Sequence, residues 1–184
     1  MKIVATSISD ILVIEPKMHG DARGFFMELF QNEHYAAAGI LGPFVQDNLS
    51  RSTAGVLRGL HFQNPKTQGK LVTVIRGCVL DVVVDVRVGS PTFGRHIKIE
   101  LSEENRRQLW IPRGFAHGFM VLSEMADFYY KCDEYYSSDD EIVLRWDDPE
   151  LGIEWGLARP MTSLRDKNGR TLSQLSGLLP IYEL

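Results

Sequence analysis

The sequence predicts an all-β protein, a sandwich or barrel of many short strands, and three observations carry that expectation. Short runs of β-branched and aromatic residues recur along the chain, each broken by Gly, Pro, Asn or Asp. In "VLDVVVDVR" apolar Leu80, Val82, Val84 and Val86 stand against Asp81, Asp85 and Arg87, an alternation that predicts a strand with one buried face. Helical patterning is scarce. Strands at short spacing with turn signals between them build sandwiches and barrels.

In chain order, "ILVIEP", "GFFMELF", "VLRGLHF", "KLVTVIRGCVLDVVVDVRVG", "RHIKIELS", "RQLWIPRG", "HGFMVLS", "DFYYKC" and "EIVLRW" read as strands. "NEHYAAAGI" is the one early helix, favoured by its alanines and ended by Gly39. A short helix is expected near the end of "SLRDKNGRTLSQLSGL". The opening stretch "MKIVATSISDILVIEP" is apolar enough to pair with a partner's sheet edge or to close its own barrel. Phe25, Phe26, Phe115 and Phe119 read as barrel packing, and "DDPELGIEW" as a turn around a structural Trp155. With no linker, repeat or low-complexity tract, residues 1–184 read as one domain, long enough for a full core.

Composition excludes several classes. A net charge of −4 argues against general nucleic-acid binding, because a phosphate reader wants a basic face. No apolar run reaches the length of a membrane span. "MKIVATSISD" lacks the apolar stretch and cleavage site of a signal peptide. Cys78 and Cys132 each lie in a strand-like run and read as buried structural thiols rather than a disulfide framework. A cytoplasmic protein is the expectation.

The chemistry-bearing stretch is "GLHFQNPKTQGKLVTVIRG". Gly55, five residues and His61 match the start of a two-part β-barrel pattern; Lys70, six residues and Gly77 match its end. "PRGFAH" supplies the second part through Pro112, Gly114 and His117. The pattern resembles that of cupins, which implies a double-stranded β-helix, a small jelly-roll barrel, with a few short peripheral helices. The departures dismantle the metal site. Gln63 stands where the pattern has its second His, Lys70 where it has Glu, and Val121 where it has Asn. A catalytic metal needs about three or four suitable ligands, and an ammonium repels a divalent cation, so no metal is expected. On this motif alone two readings stand: a metal-free reactive pocket, or a barrel without chemistry whose His61 is a hydrogen-bonded core residue.

Polar groups on strand-like segments favour the pocket. Arg23, Glu28, Gln46, Asn48, Arg58 and Lys70 are hard to bury without partners or a polar ligand. From "DARGFF" to "LRDKN", with "RGLHFQ", "PRGFAHGF", "YYKCDEYY" and the "WDDPELGIEW" run between, the chain closely resembles the dTDP-4-dehydrorhamnose 3,5-epimerases. The resemblance implies a cofactor-free isomerase that inverts C3 and C5 of a dTDP-4-keto-6-deoxy sugar. It implies His61 as base, Asp166 as its orienting partner, Lys70 as donor to the enolate oxygen and Tyr130 as acid. It assigns Arg23, Arg58 and His117 to the sugar and diphosphate. Glu28, Gln46, Asp47, Asn48, Tyr136 and Glu141 fall to the nucleotide side, with Arg165 where the family usually has Lys. A homodimer with exchanged N-terminal strands is also implied, as is a reductase that draws off the product. A single-carbon epimerase, a 3,4-ketoisomerase and a non-catalytic sugar-nucleotide binder are the alternatives.

Overall fold

The structure, a computed structural model, describes residues 1–182. Strands β1 (Lys2–Ala5) and β2 (Leu12–Glu15) form a hairpin, and β3 (Met18–Asp21) and β4 (Gly24–Met27) a second one. Helix α1 (Asn32–Ala37) follows, started by the Gln31 side chain, which accepts from the His34 N–H at 2.7 Å, and followed by Gly39 at φ +83°. The barrel strands are β5 (Gln46–Thr53), β6 (Leu57–Gln63), β7 (Lys70–Arg76), β8 (Cys78–Asp85), β9 (His96–Ser102), β10 (Gln108–Ile111), β11 (Phe115–Val121), β12 (Met125–Cys132) and β13 (Glu141–Val143). Helix α2 (Leu164–Lys167) and a 3-10 turn at Ser173–Leu175 complete the described chain.

Two sheets form the body, ordered β1-β2-β10-β7-β12-β5 and β13-β6-β11-β8-β9, with β3 and β4 apart as a two-stranded ribbon. Their ladders are antiparallel, the architecture of a cupin-type jelly roll. The two sheets share one apolar core: Val72, Val74 and Phe128 from one wall meet Val79, Val83, Phe115 and Phe119 from the other. Each such buried side chain stabilises by about 1.5–3 kcal/mol relative to exposure. A second cluster lies outside the smaller sheet, where Leu57, Leu60, Val82, Val84 and Trp155 pack against Leu172, Leu175 and Leu179.

That outer cluster corrects one expectation. The alternation in β8 predicts one buried face, but both faces are buried, and Asp81 and Asp85 are 0% exposed. β8 lies between β11 and β9, with the barrel core inside and the C-terminal segment outside, so neither face meets water. Asp85 is matched by Arg87, whose Nε and Nη2 donate to it at 2.9 and 2.7 Å while Nη1 reaches Asp10 at 2.8 Å. The Arg87 guanidinium also stacks between the Phe115 and Tyr182 rings.

The phenylalanines divide. Phe115 and Phe119 are core residues as expected, but Phe25 and Phe26 are 60% and 71% exposed. They sit on the β3–β4 hairpin, which pairs only with itself and leaves the barrel. Trp155 is buried and donates Nε1–H to the Trp146 carbonyl at 2.8 Å, as its structural reading requires. Cys132 is buried as expected, whereas Cys78 is only partly so, and both are free thiols. The expected late helix is the single 3-10 turn, and the strand expected over 141–146 ends at Val143.

Candidate active site

The strand pleat aims alternate side chains into the barrel, and its open end is a cavity of about 610 Å³, in the size range of small-molecule sites. His61 on β6 and His117 on β11 are cross-strand partners in the ladder. The two strands approach closely there because Gly59 and Gly118 face each other: a Cβ on Gly59, at φ +115°, would sit 2.7 Å from the Gly118 Cα. The ladder then shifts register between His117 and Phe119.

His61 Nε2 lies 2.6 Å from Asp166 Oδ1. Asp166 is brought there by α2: Ser163 caps the helix, its hydroxyl accepting from the Asp166 N–H at 3.0 Å. Burial alone would raise the Asp166 carboxyl. Hydrogen bonds from His61, the Ser163 hydroxyl and the Gly59 N–H outweigh it and hold the group below the usual carboxylate range. The pairing leaves His61 Nδ1 free, its nearest carboxylate oxygen being Glu141 Oε1 at 4.0 Å. His117 is built the same way, with Nε2 at 2.9 Å from Asp81 Oδ2.

The opposite wall supplies Lys70 from β7 and Tyr130 from β12, strands that pair directly, and both line the cavity. Burial pushes the Lys70 ammonium down, against the opposing influence of Cys132, Glu141 and Asp81. Burial pushes the Tyr130 phenol up, so it holds its proton at neutral pH. Base candidate and acid candidate thus come from different sheets and face one cavity.

At the mouth, the Tyr136 hydroxyl donates to Glu141 Oε2 at 2.9 Å, and Arg165 pairs with the same carboxylate. Arg58 lines the cavity and donates Nε–H to Ser52 Oγ at 3.0 Å. Gln46 and Asn48 share the inward face of β5 with Ser50, and Gln46 Oε1 accepts from the Tyr136 N–H at 2.9 Å. Asp47 does not share that inward face. A strand turns successive side chains to opposite faces, so Asp47 points outward, where Lys131 holds it at 2.8 Å. Arg23 and Glu28 also lie outside the cavity: Arg23 pairs with Asp21 at 2.5 Å on the exposed hairpin, and Glu28 with His34 at 3.1 Å.

Two residues of the site escaped sequence reading. Ser163 carried a signal, a serine three positions before Asp166 at a helix start. Asp81 carried none that separates it from an outward polar residue, since it is the packing of the apolar Val82 and Val84 face against the C-terminal leucines that turns Asp81 into the barrel. The ligands missing from the cupin pattern are accounted for. Gln63 is buried in loop hydrogen bonds to Lys66 and Tyr135 carbonyls and to the Ser137 N–H, while Lys70 lines the cavity. Among the described residues no three His, Cys, Asp or Glu side chains are arranged to hold a metal ion.

Comparison with known proteins agrees with this geometry. Residues 5–174 match the family model described as dTDP-4-dehydrorhamnose 3,5-epimerase. The chain is 52% identical over 172 residues to the dTDP-4-dehydrorhamnose 3,5-epimerase of Shigella flexneri, covering 92% of this chain and 95% of that one. It is 49% identical to the Pseudomonas aeruginosa enzyme of that name, over 94% and 97% of the two chains. Among solved structures, the Legionella pneumophila dTDP-6-deoxy-D-glucose-3,5-epimerase in complex with dTDP-4-keto-L-rhamnose superposes with a TM-score of 0.97 at 52% identity, covering 100% and 99%. A 3'-monoepimerase from Streptomyces bikiniensis in complex with dTDP-quinovose gives 0.92 at 38% identity, covering 97% and 92%. A match that runs through both sheets and the His61–Asp166 pair leaves one assignment: the chain belongs to the dTDP-4-dehydrorhamnose 3,5-epimerase family and is an isomerase.

Proposed function

We propose that this chain converts dTDP-4-keto-6-deoxy-D-glucose to dTDP-4-keto-L-rhamnose by inverting C3 and C5 without a metal. The observation that carries this reading is the placement of His61–Asp166 on one wall of a single cavity and Lys70 with Tyr130 on the other. The C4 ketone acidifies the protons at C3 and C5, because the carbanion formed is an enolate. His61 Nδ1 takes the proton, and Asp166 fixes the tautomer and supports the imidazolium. The Lys70 ammonium stabilises the enolate oxygen, where one preorganised donor is worth about 3–4 kcal/mol. Tyr130 returns a proton from the far wall, which inverts the carbon. His61 is then recharged by loss of its proton to solvent and Tyr130 by gain of one.

Arg58 and Arg165 suit the diphosphate, because a guanidinium fork binds two oxygens. His117 reaches the sugar, and Gln46, Asn48, Tyr136 and Glu141 the nucleotide. Arg23 and Glu28 serve the site across a homodimer with exchanged N-terminal strands, which also gives the exposed Phe25 and Phe26 a place to pack. A reductase acting on the product ketone completes the sequence, in the cytoplasm. No helix among the described residues is long and apolar enough to cross a membrane.

Incubation with the keto sugar in deuterated buffer tests the reading. Deuterium at both C3 and C5 of an inverted product is expected. Label at C3 alone would instead fit a single-carbon epimerase, the activity named for the Streptomyces relative, or a 3,4-ketoisomerase. Absence of label would leave a sugar-nucleotide binder.

A further inference from the structure

Arg58 is an exposed residue near the start of β6 that lines the cavity, and a long side chain in that position is free to wander unless something holds it. Its Nε donates to the Ser52 hydroxyl at 3.0 Å, the one hydrogen bond from this guanidinium to another side chain among the described residues. Ser52 is 6% exposed and continues the inward row of Gln46, Asn48 and Ser50 along β5. β5 belongs to the larger sheet and β6 to the smaller, so the bond ties the two walls together across the turn between them. We propose that Ser52 is a positioning residue of this site, a neutral buried acceptor that holds Arg58 by Nε and leaves both Nη groups, and the full charge, for the substrate's diphosphate. The proposal rests on the epimerase reading given above, in which Arg58 meets the diphosphate.

The chemistry of the partner decides the role. A guanidinium carries N–H donors on Nε and on both Nη atoms, and it binds phosphate by placing two parallel donors on two oxygens. An anchor on Nε alone therefore fixes the side chain while the Nη donors stay available. Neighbouring arginines are held differently. Arg51, on the outward face of β5, gives both Nε and Nη2 to Asp127 at 2.6 and 2.7 Å, and Arg165 pairs with Glu141. A carboxylate in place of Ser52 would fix the same geometry but cancel the cation that a diphosphate needs; a hydroxyl orients it and leaves the charge. Packing does not require the hydroxyl. The ladder partner of Ser52 on β12 is Ala126, a buried member of the apolar core, so a methyl group suits the same surroundings. A buried hydroxyl does require a hydrogen-bond partner, and Arg58 is the one it has. Holding a long side chain in its binding conformation beforehand removes an ordering cost worth about two- to tenfold in affinity.

Ser52→Ala removes the acceptor. Its affinity for dTDP, measured by calorimetry, should fall about three- to tenfold, while affinity for thymidine, which has no phosphate, stays within about twofold. KM for the keto sugar should rise by a similar factor and kcat should change much less, because the contact serves ground state and transition state alike. A double-mutant cycle supplies the reading that a purely structural role would not give. With Arg58→Ala already in place, Ser52→Ala should alter dTDP affinity by no more than about twofold. A loss that persists undiminished without Arg58, a loss shared equally by thymidine, or parent-like dTDP affinity in Ser52→Ala overturns the proposal. Nitrogen-15 NMR of the Arg58 Nε–H in the unaltered protein gives an answer even if the variant does not fold. Slowed hydrogen exchange at that site is expected, and exchange as fast as that of free arginine overturns the assignment. Neither dTDP binding nor this exchange needs turnover, so both stand apart from the epimerase reading, whose failure shows as absence of deuterium incorporation by the unaltered protein.

Discussion

Asp166→Asn is the most informative single change. In the structure the Asp166 carboxylate accepts from His61 Nε2 at 2.6 Å, and its helix is held by the Ser163 cap, whose hydroxyl accepts from the Asp166 N–H at 3.0 Å, and by packing against β6. Those holders survive the substitution, so ring and helix stay in place while the charge goes. A hydrogen bond to a charged group contributes about 1.5–3 kcal/mol, and each 1.4 kcal/mol is about tenfold, which gives a loss of about 10- to 150-fold. A second effect adds to it. The new amide NH2 can donate to Nε2, which drives the ring proton onto Nδ1, the nitrogen needed as base; in other carboxylate–histidine pairs this change costs about 10⁴-fold. The expected fall in kcat is therefore about 10² to 10⁴-fold, with KM and the affinity for dTDP nearly unchanged. Solvent deuterium incorporation at C3 and C5, followed by proton NMR, reads the proton-abstraction step directly. Ser163→Ala should act in the same direction but weakly, about fivefold, since a lost helix cap is worth about 1 kcal/mol. Should Asp166→Asn exchange deuterium within about twofold of the parent, Asp166 does not orient His61 and the dyad is structural.

Three further outcomes are expected. Tyr130→Phe should wash deuterium into the substrate, at C5 most readily, while forming little inverted sugar, because only the far-wall acid is lost; equal loss of exchange and inversion would place Tyr130 at deprotonation instead. Exhaustive chelator treatment should leave turnover intact, and loss restored by one divalent ion would refute the metal-free chemistry. Asp85, fully buried, tests the fold: burial raises its carboxyl, but Arg87, Ser90 and Thr92 outweigh burial and hold it below 3.8. A carboxyl depressed in the folded state stabilises above its unfolded value of 3.8 and loses that contribution as pH falls through the folded value. Urea unfolding of Asp85→Ala should show a loss of about 3–5 kcal/mol at pH 7, and the gap to the parent should narrow below about pH 4. A gap that stays constant with pH contradicts the ion-pair account.

The sequence by itself determined the fold class, most strand positions and the nature of the chemistry. Alternation and turn residues act locally, so β6, β7 and β11 could be placed from the chain alone. His61, Lys70 and His117 could be found because fixed spacings from glycines mark where the strands turn into the barrel mouth. The nature of a missing ligand is also a one-dimensional fact, which is why Gln63 and Lys70 already argued against a metal. What only the tertiary structure decided depends on which strands become neighbours. Period-two reasoning tells which residues share a face, not what covers that face. Asp81 read as outward-facing until the C-terminal leucines were seen to close the other side of β8. The same alternation turns Asp47 away from a site that its neighbours Gln46 and Asn48 approach. Asp166 lies 105 positions from His61, and only the packing of a four-residue helix against β6 brings their side chains together. Side-chain direction follows from local backbone geometry, but burial and partnership are properties of the closed barrel, where distant segments share one small volume.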